Sequence, residues 1–347
     1  MQLLSLPFSS LATLTLAVAP VFGLPYIPKR TPSVPVKRDP WLALDTDFPD
    51  PAFLKASNGK WYAFGTIGNG LRMQVAESDN FSNWTSLNKS PMPKVAEWEQ
   101  PNTILAMAPD VIQRADGKYV MYYSSPTKRD ENRQCVGTGI ANDPSGPYEP
   151  SDEPFACPFD QGGAIDASGF QDIDGTRYVT YKVNGNTIGK GECGNSIPPL
   201  KPTPLMLQKV REDGITPVGK PIQMIDRATS DNDGPLVEAP YIFHHAGTYF
   251  LFYSTHCYNS DQYDLRYATA ANVTGPWQKD NAQLLKPGQY GLKSPGGASL
   301  RSLSKTLLGD GSLFPDGMLF HGWCHDKTER CMYAAKVRFF GNRVVVV

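Results

Sequence analysis

Val237-Glu-Ala-Pro-Tyr-Ile-Phe-His-His-Ala-Gly-Thr-Tyr-Phe-Leu-Phe-Tyr-Ser254 places an acid, a short apolar run, a glycine-centred turn and an aromatic strand in that order. The same order occurs three times earlier: Asp50 in FPDPAFLKASNGKWYAF, Asp110 in APDVIQRADGKYVMYYS, and Asp166 in AIDASGFQDIDGTRYVTY. The acid precedes its turn glycine (Gly59, Gly117, Gly175, Gly247) by nine, seven, nine and nine residues. The glycines themselves recur every 58, 58 and 72 residues. A repeat of that length is one supersecondary unit stacked around an axis. Equivalent units would carry their acids to one place.

Outward from these segments, helical periodicity is almost absent. Apolar runs are short, rich in Tyr, Phe and Val, and bounded by Gly, Pro, Asn and Asp. Lys60 to Phe64, Lys118 to Ser124, Arg177 to Lys182 and Thr248 to Ser254 read as buried strands, each just after a turn of the NG, DG or AG type. A second echo follows: Gly137-Thr-Gly-Ile-Ala runs to Gly146-Pro-Tyr, and Leu265-Arg-Tyr-Ala-Thr-Ala runs to Gly275-Pro-Trp. Each unit thus reads as a four-stranded antiparallel blade. Four are visible, at 45–95, 100–155, 160–228 and 232–286, and 287–347 is about one more. The expectation is an all-β chain, a five-bladed β-propeller, whose closure removes open sheet edges. A pair of β-sandwiches would not need the repeated acid-to-turn spacing.

The bulk features set the context. Leu11 to Phe22 is an apolar run of signal-peptide length, too short to span a bilayer, so 1–23 reads as a signal peptide. The Pro-rich stretch 24–38 ends in Lys37-Arg38, a dibasic pair that would make Asp39 the mature start and 39–347 the folded domain. The whole chain has a net charge of −1, and loss of the leader's four basic residues makes it more acidic. Neither nucleic acid nor an anionic membrane is an expected partner. Six cysteines in an exported chain favour disulfides; Cys324 and Cys331 are close enough to staple a hairpin, and the other pairings stay open. Sequons at Asn80, Asn83, Asn88 and Asn272 suggest a glycosylated, secreted, extracellular protein, expected as a monomer.

Several carboxylates in one pocket push each other's pKa values apart, so one holds its proton while another stays ionised. That is what cleavage of a glycosidic bond needs. Glu238 has the longer reach and reads as proton donor, and Asp50 as base. Any one of these acids alone could be a turn former; the shared place in the repeat is the argument for chemistry. FPDPAFL, MAPDVIQ, GGAIDASGF and LVEAPYIF, in this order, resemble glycoside hydrolase family 43, over nearly the whole chain from about Asp45. The resemblance implies an inverting mechanism with Asp50 as general base, Asp166 as the residue that raises and orients the acid, and Glu238 as general acid. Asp110 would support the site. His321, in FHGW, would point into the channel and help hold a water or an ion, frequently calcium, at the axis, with no cofactor otherwise required. Where many relatives carry a His after the glycines, SPGGAS has Gly297, which departs from that pattern.

Sugar binding calls for aromatic platforms, and Phe48, Phe170, Tyr241 and Trp323, with Trp41 and Trp98, are the candidate walls; Arg301 is a weaker candidate contact. The Gly/Pro-rich insertion from Asn184 to Pro204 would rim the pocket and set endo or exo cleavage. The reading is a secreted hydrolase of α-L-arabinofuranosyl linkages in arabinan or arabinoxylan. Its alternatives are a β-xylosidase or a non-catalytic carbohydrate-binding propeller. A retaining fructan or sucrose hydrolase would set its two working carboxylates closer together.

Overall fold

The computed structural model describes residues 40–303 and 316–347. The expected signal peptide (1–23) and the whole Pro-rich stretch 24–38 with its Lys37-Arg38 site lie outside the described residues. β1 (Trp41–Asp47) is followed by four blades of consecutive strands. Blade 1 is β2 (Ala52–Lys55), β3 (Trp61–Gly65), β4 (Gln74–Ser78) and β5 (Thr85–Ser86). Blade 2 is β6 (Met107–Gln113), β7 (Tyr119–Thr127), β8 (Asp130–Ala141) and β9 (Glu149–Pro150). Blade 3 is β10 (Ala164–Gln171), β11 (Arg177–Val183), β12 (Leu205–Val210) and β13 (Ile222–Ile225). Blade 4 is β14 (Val237–His245), β15 (Thr248–Thr255), β16 (Asp264–Ala270) and β17 (Gln278–Leu285). Blade 5 is β18 (Gly296–Arg301), β19 (Asp316–Cys324) and β20 (Glu329–Phe340), with β21 (Arg343–Val346) on β20. All pairings within the blades are antiparallel, and the described residues contain no α-helix. The expected five-bladed propeller is the fold.

One assignment changes. Residues 45–47 were read with blade 1, but they belong to β1, which pairs with β20 in blade 5, Trp41 opposite Ala334 and Asp47 opposite Cys331. β20 is 12 residues long, and its outer edge is shared: β1 covers the first half and β21 the second. The two ends of the folded chain are thereby pinned to one strand, which covers an edge that would otherwise stay open.

The middle strands read as continuous apolar runs because each blade is packed on both faces. In β7 all nine residues are buried. The core divides into five clusters, one per blade interface, such as Leu54, Phe64 and Val75 of blade 1 against Val111 and Met121 of blade 2. The cluster between blades 5 and 1 contains Leu319, Met332, Phe53 and Trp61, so apolar packing continues right round the ring. The turn glycines hold nearly one conformation, with φ of 85° at Gly59, 84° at Gly117, 86° at Gly175 and 82° at Gly247. That left-handed geometry favours a residue without Cβ.

Candidate active site

Each innermost strand reaches the mouth of the ring through one residue in the left-handed region. These are Asp50 (φ 52°), Ala108 (46°), Asp166 (60°), Ala239 (52°) and Gly297 (62°). In blades 2 to 5 this residue sits in a register shift, for instance between Glu238, opposite Ser254, and Tyr241, opposite Phe252. A bulge of this kind bends the strand and re-aims its side chains. A non-glycine residue there costs on the order of 1 kcal/mol or more, so surrounding bonds must hold it. They do so in a collar running round the ring. The N–H of Ala108 donates to Thr66 Oγ1 (2.8 Å), that of Asp166 to Ser124 Oγ (3.1 Å), and that of Ala239 to Asp166 Oδ2 (3.0 Å). The N–H of Gly297 donates to Ser254 Oγ (3.0 Å) and that of Asp50 to His321 Nδ1 (3.1 Å). Every acceptor belongs to the preceding blade.

This collar corrects the register assumed for the four acids. Asp50 and Asp166 occupy the bulge position itself; Glu238 stands one residue before it, and Asp110 two residues after. Asp110 instead belongs to a second set of bonds that ties blade 2 to 3, 3 to 4, 4 to 5 and 5 to 1. Asp110 Oδ2 accepts from Gly169 N (2.8 Å), Ser168 Oγ donates to Pro240 O (2.8 Å), Tyr241 OH to Leu300 O (2.8 Å) and Ser299 Oγ to Pro51 O (2.8 Å). The seven-residue spacing of Asp110 to its glycine was the signal of this offset.

All four acids nevertheless line one cavity of about 520 Å³. Burial alone would raise the Asp50 carboxyl, but the Arg330 guanidinium, His321 and the Thr66 hydroxyl outweigh it and hold Asp50 well below the usual carboxylate range. Thr66 Oγ1 donates to Asp50 Oδ2 at 2.5 Å, and Arg330 lies 3.4 Å from Oδ1. Asp166 moves the other way. Burial first, then the charge of Glu238, push it up to about 7 against the opposing pull of Lys182. Glu238 is held by two groups: Tyr263 OH donates to Oε1 (2.9 Å) and the Lys182 ammonium to Oε2 (3.0 Å). Lys182 is itself fully buried and stands at the β11 position where β7 and β15 carry Ser124 and Ser254. Blade 3 has therefore exchanged a collar hydroxyl for a cation aimed at the acid. Asp110 is also raised by burial, with Arg301 3.8 Å away.

His321 is 1 % exposed and its ring lies parallel to that of Tyr263, centroids 5.8 Å apart. Its Nδ1 lies 3.1 Å from Asp50 N and 3.2 Å from Asp50 Oδ1, and its Nε2 is buried without a protein partner. With the ring proton on Nε2, as when Nδ1 accepts the Asp50 N–H, the ring can hold a water but cannot ligate calcium directly. Gly297 has a local reason: a Cβ there would lie 2.8 Å from the His321 ring. Its neighbour Gly296 leaves room for the Tyr263 ring in the same way.

Of the expected aromatic platforms, only Tyr241 lines the cavity, and it is 3 % exposed. Phe48 is buried in the core between blades 5 and 1, where Trp41 also lies, and Phe170 packs on the core between blades 3 and 4. Trp98 is core against Tyr123. Trp323 is near the end of β19 and is absent from the cavity wall. Arg301 contacts Phe53 O and the Tyr241 hydroxyl and does not line the cavity. The aromatic residues that do line it besides Tyr241 are Tyr258 and Tyr263, from the segment between β15 and β16, with Arg330 over the Tyr258 ring at 4.8 Å. Lys182, Tyr263, Thr66 and Arg330 were not read from the sequence. Their only signal was position: Thr66 directly follows β3 and Lys182 is next to last in β11, the strands that pair with acid-bearing segments. The insertion contributes Asn184, Asn186, Thr187 and Cys193 to the wall, as a rim should. Cys193 is bonded to Cys257 and Cys135 to Cys157, and Cys324 to Cys331 as the hairpin staple expected.

Comparison with known proteins agrees with this geometry. Residues 42–306 match the model of Glycosyl hydrolases family 43. The chain is 27% identical over 263 residues, 66% of its length, to an "Extracellular endo-alpha-(1->5)-L-arabinanase" of Thermotoga petrophila, and spans about half (50%) of that relative. It is 24% identical over 290 residues to "Extracellular endo-alpha-(1->5)-L-arabinanase 1" of Bacillus subtilis, covering 78% of this chain and 82% of that one. Among solved structures, a thermostable family-43 glycoside hydrolase superposes with a TM-score of 0.71 at 24% identity, covering 87% of this chain and 93% of the other. With the matched span running through blades 1 to 4 and the first strand of blade 5, and with four acids meeting in one cavity, this chain belongs to glycosyl hydrolases family 43.

Proposed function

We propose that the protein hydrolyses α-L-arabinofuranosyl linkages of arabinan with inversion at the anomeric carbon. The observation that carries this is the opposite electrostatic setting of two carboxyls in one cavity: Asp50 held ionised, Asp166 holding a proton up to about neutral pH. In this reading Asp50 orients the attacking water. A carboxylate held so low is a weak proton acceptor at rest. It takes the proton only as the sugar carbon becomes cationic and the water becomes acidic. Asp166 and Glu238 share one proton; Glu238, oriented by Tyr263 and Lys182, is the member that passes it to the leaving oxygen, which leaves both carboxyls ionised. Asp110 ties blade 2 to blade 3 below them. His321 fixes the backbone of Asp50 and offers Nε2–H to a water; an axial calcium would meet it only through that water, and no step here passes through a metal.

The substrate choice follows the two curated relatives, both named for α-(1→5)-L-arabinan. Secretion is part of the proposal. It is supported by three disulfides, by exposed sequon asparagines Asn80, Asn83, Asn88 and Asn272, and by relatives named extracellular. The test is hydrolysis of linear arabinan and of nitrophenyl α-L-arabinofuranoside and β-D-xyloside, with proton NMR of the first-formed anomer. Turnover of arabinan with the inverted anomer is expected. A retained anomer overturns the mechanism, preference for the xyloside overturns the substrate, and absence of any turnover leaves a binding propeller.

A further inference from the structure

One carboxylate in the cavity wall has no part in the mechanism above. Asp47 closes β1, is half-buried, and lines the cavity three residues before Asp50. Its Oδ1 accepts the backbone N–H of Arg330 (3.0 Å). The next residue completes the grip, because Phe48 N–H donates to Arg330 O (2.8 Å). Arg330 is thus held at both its backbone polar groups by Asp47 and Phe48, and its guanidinium reaches to 3.4 Å from Asp50 Oδ1. The place is a costly one for a carboxylate. Burial raises the Asp47 carboxyl and the charges of Glu329 and Asp50 add to that, while the N–H and the charge of Arg330 oppose it.

The carbonyl of Asp47 serves the other oxygen of Asp50. Asp47 O accepts from Asn69 Nδ2 (2.8 Å), the same nitrogen donates to Gln74 Oε1 (2.7 Å), and Gln74 Nε2 donates to Thr66 O (2.9 Å). Thr66 Oγ1 then donates to Asp50 Oδ2 (2.5 Å). The contacts close a circuit through Asp47, Arg330, Asp50, Thr66, Gln74 and Asn69, and both arms that hold Asp50 start at Asp47. Asn69 enters it with a φ of 51°, a left-handed setting that Asn tolerates better than most residues. Its neighbour Gly68 leaves room for it: a Cβ there would lie 2.8 Å from Asp47 Oδ2.

We propose that Asp47 is a positioning residue for the base, acting on Asp50 through Arg330 on one side and through Asn69, Gln74 and Thr66 on the other. The inference rests on the reading of Asp50 as base. It is tested by kcat/KM on linear arabinan, across pH, for the wild type, Asp47→Ala, Arg330→Met and the double variant. Asp47→Ala leaves the Arg330 N–H without its acceptor. It should lose about tenfold, with the acidic limb moved to higher pH as the guanidinium loosens. In the Arg330→Met background the same substitution should cost less than about twofold, because the group it positions is gone. Asp47→Asn keeps an oxygen acceptor and removes a negative charge near Asp50, so it should recover most of the loss and leave the limb unmoved or lower. An equal loss in both backgrounds, or an Asp47→Asn as impaired as Asp47→Ala, overturns the proposal. Should Asp47→Ala fail to fold, Asn69→Gly decides through the second arm, since glycine accepts the φ of 51° at this exposed position. Its loss of activity should vanish in a Thr66→Val background, and a loss of the same size there overturns the proposal. Absence of wild-type turnover removes the hydrolase reading itself, whereas turnover with additive losses removes this inference alone.

Discussion

Replacing Asp166 by Asn should stabilise the protein, and do so only above mildly acidic pH. Asp166 binds its proton more tightly in the folded chain, at about 7, than at its ordinary 3.8. Relative to an uncharged side chain its folded state is therefore undisturbed below about pH 4. It loses stability as pH rises from there through 7, when a buried charge must form beside Glu238. At about 1.4 kcal/mol for each tenfold step, the interval sets a ceiling of ~4 kcal/mol at pH 8. Solvent at the cavity mouth screens part of that, and Lys182 loses one of its two carboxylates, so a gain of about 1–3 kcal/mol is expected. For a chain of this size that is about 2–6 °C in Tm. Asn keeps an oxygen to accept the Ala239 N–H, which Asp166 Oδ2 now accepts at 3.0 Å, so the bulge of blade 4 stays in place. Differential scanning calorimetry of both proteins from pH 4 to pH 8.5 is the assay. The difference should be near zero at pH 4 and grow with pH, while turnover falls. A variant destabilised equally at both ends of the range would refute the reasoning, because the carboxyl would then act through its hydrogen bond and not through its charge.

Other outcomes follow from the same contacts. Arg330→Met removes the cation beside Asp50, so the acidic limb of the kcat/KM profile should move to higher pH; an unmoved limb would separate Arg330 from the base. Lys182→Ser copies the collar residue of blades 2 and 4 and removes the charge that lowers Asp166, so the alkaline limb should move up and kcat fall by about tenfold or more. Failure of the alkaline limb to shift would show that the lysine's place beside Glu238 is structural only. Asp50→Asn and Glu238→Gln should each lower turnover of arabinan at least a thousandfold while circular dichroism and Tm stay near those of the wild type; near-normal rates in either would remove that residue from its role.

The ring, its blade count and the identity of the acids were legible in the chain, because each blade repeats a local code. An apolar run, a turn that needs a left-handed glycine and a strand packed on both faces leave a mark at fixed spacing whatever surrounds them. The pairing of β1 with β20 left no such mark: it joins residues nearly 300 apart, and only the closed ring brings them together. The platforms failed for a related reason. An aromatic side chain reads the same whether it faces a cavity or a core, and Phe48 and Trp98 went to the core because a neighbouring blade covers them. Lys182 is the sharpest case. Alone it reads as one more lysine in a strand, and it becomes the partner of Glu238 only because blade 3 lies beside blade 4. Local sequence thus determined which acids meet in the cavity. The settings of those residues, one carboxyl held down and another pushed up, came from groups on neighbouring blades, since electrostatic effects depend on distances that only the folded ring creates.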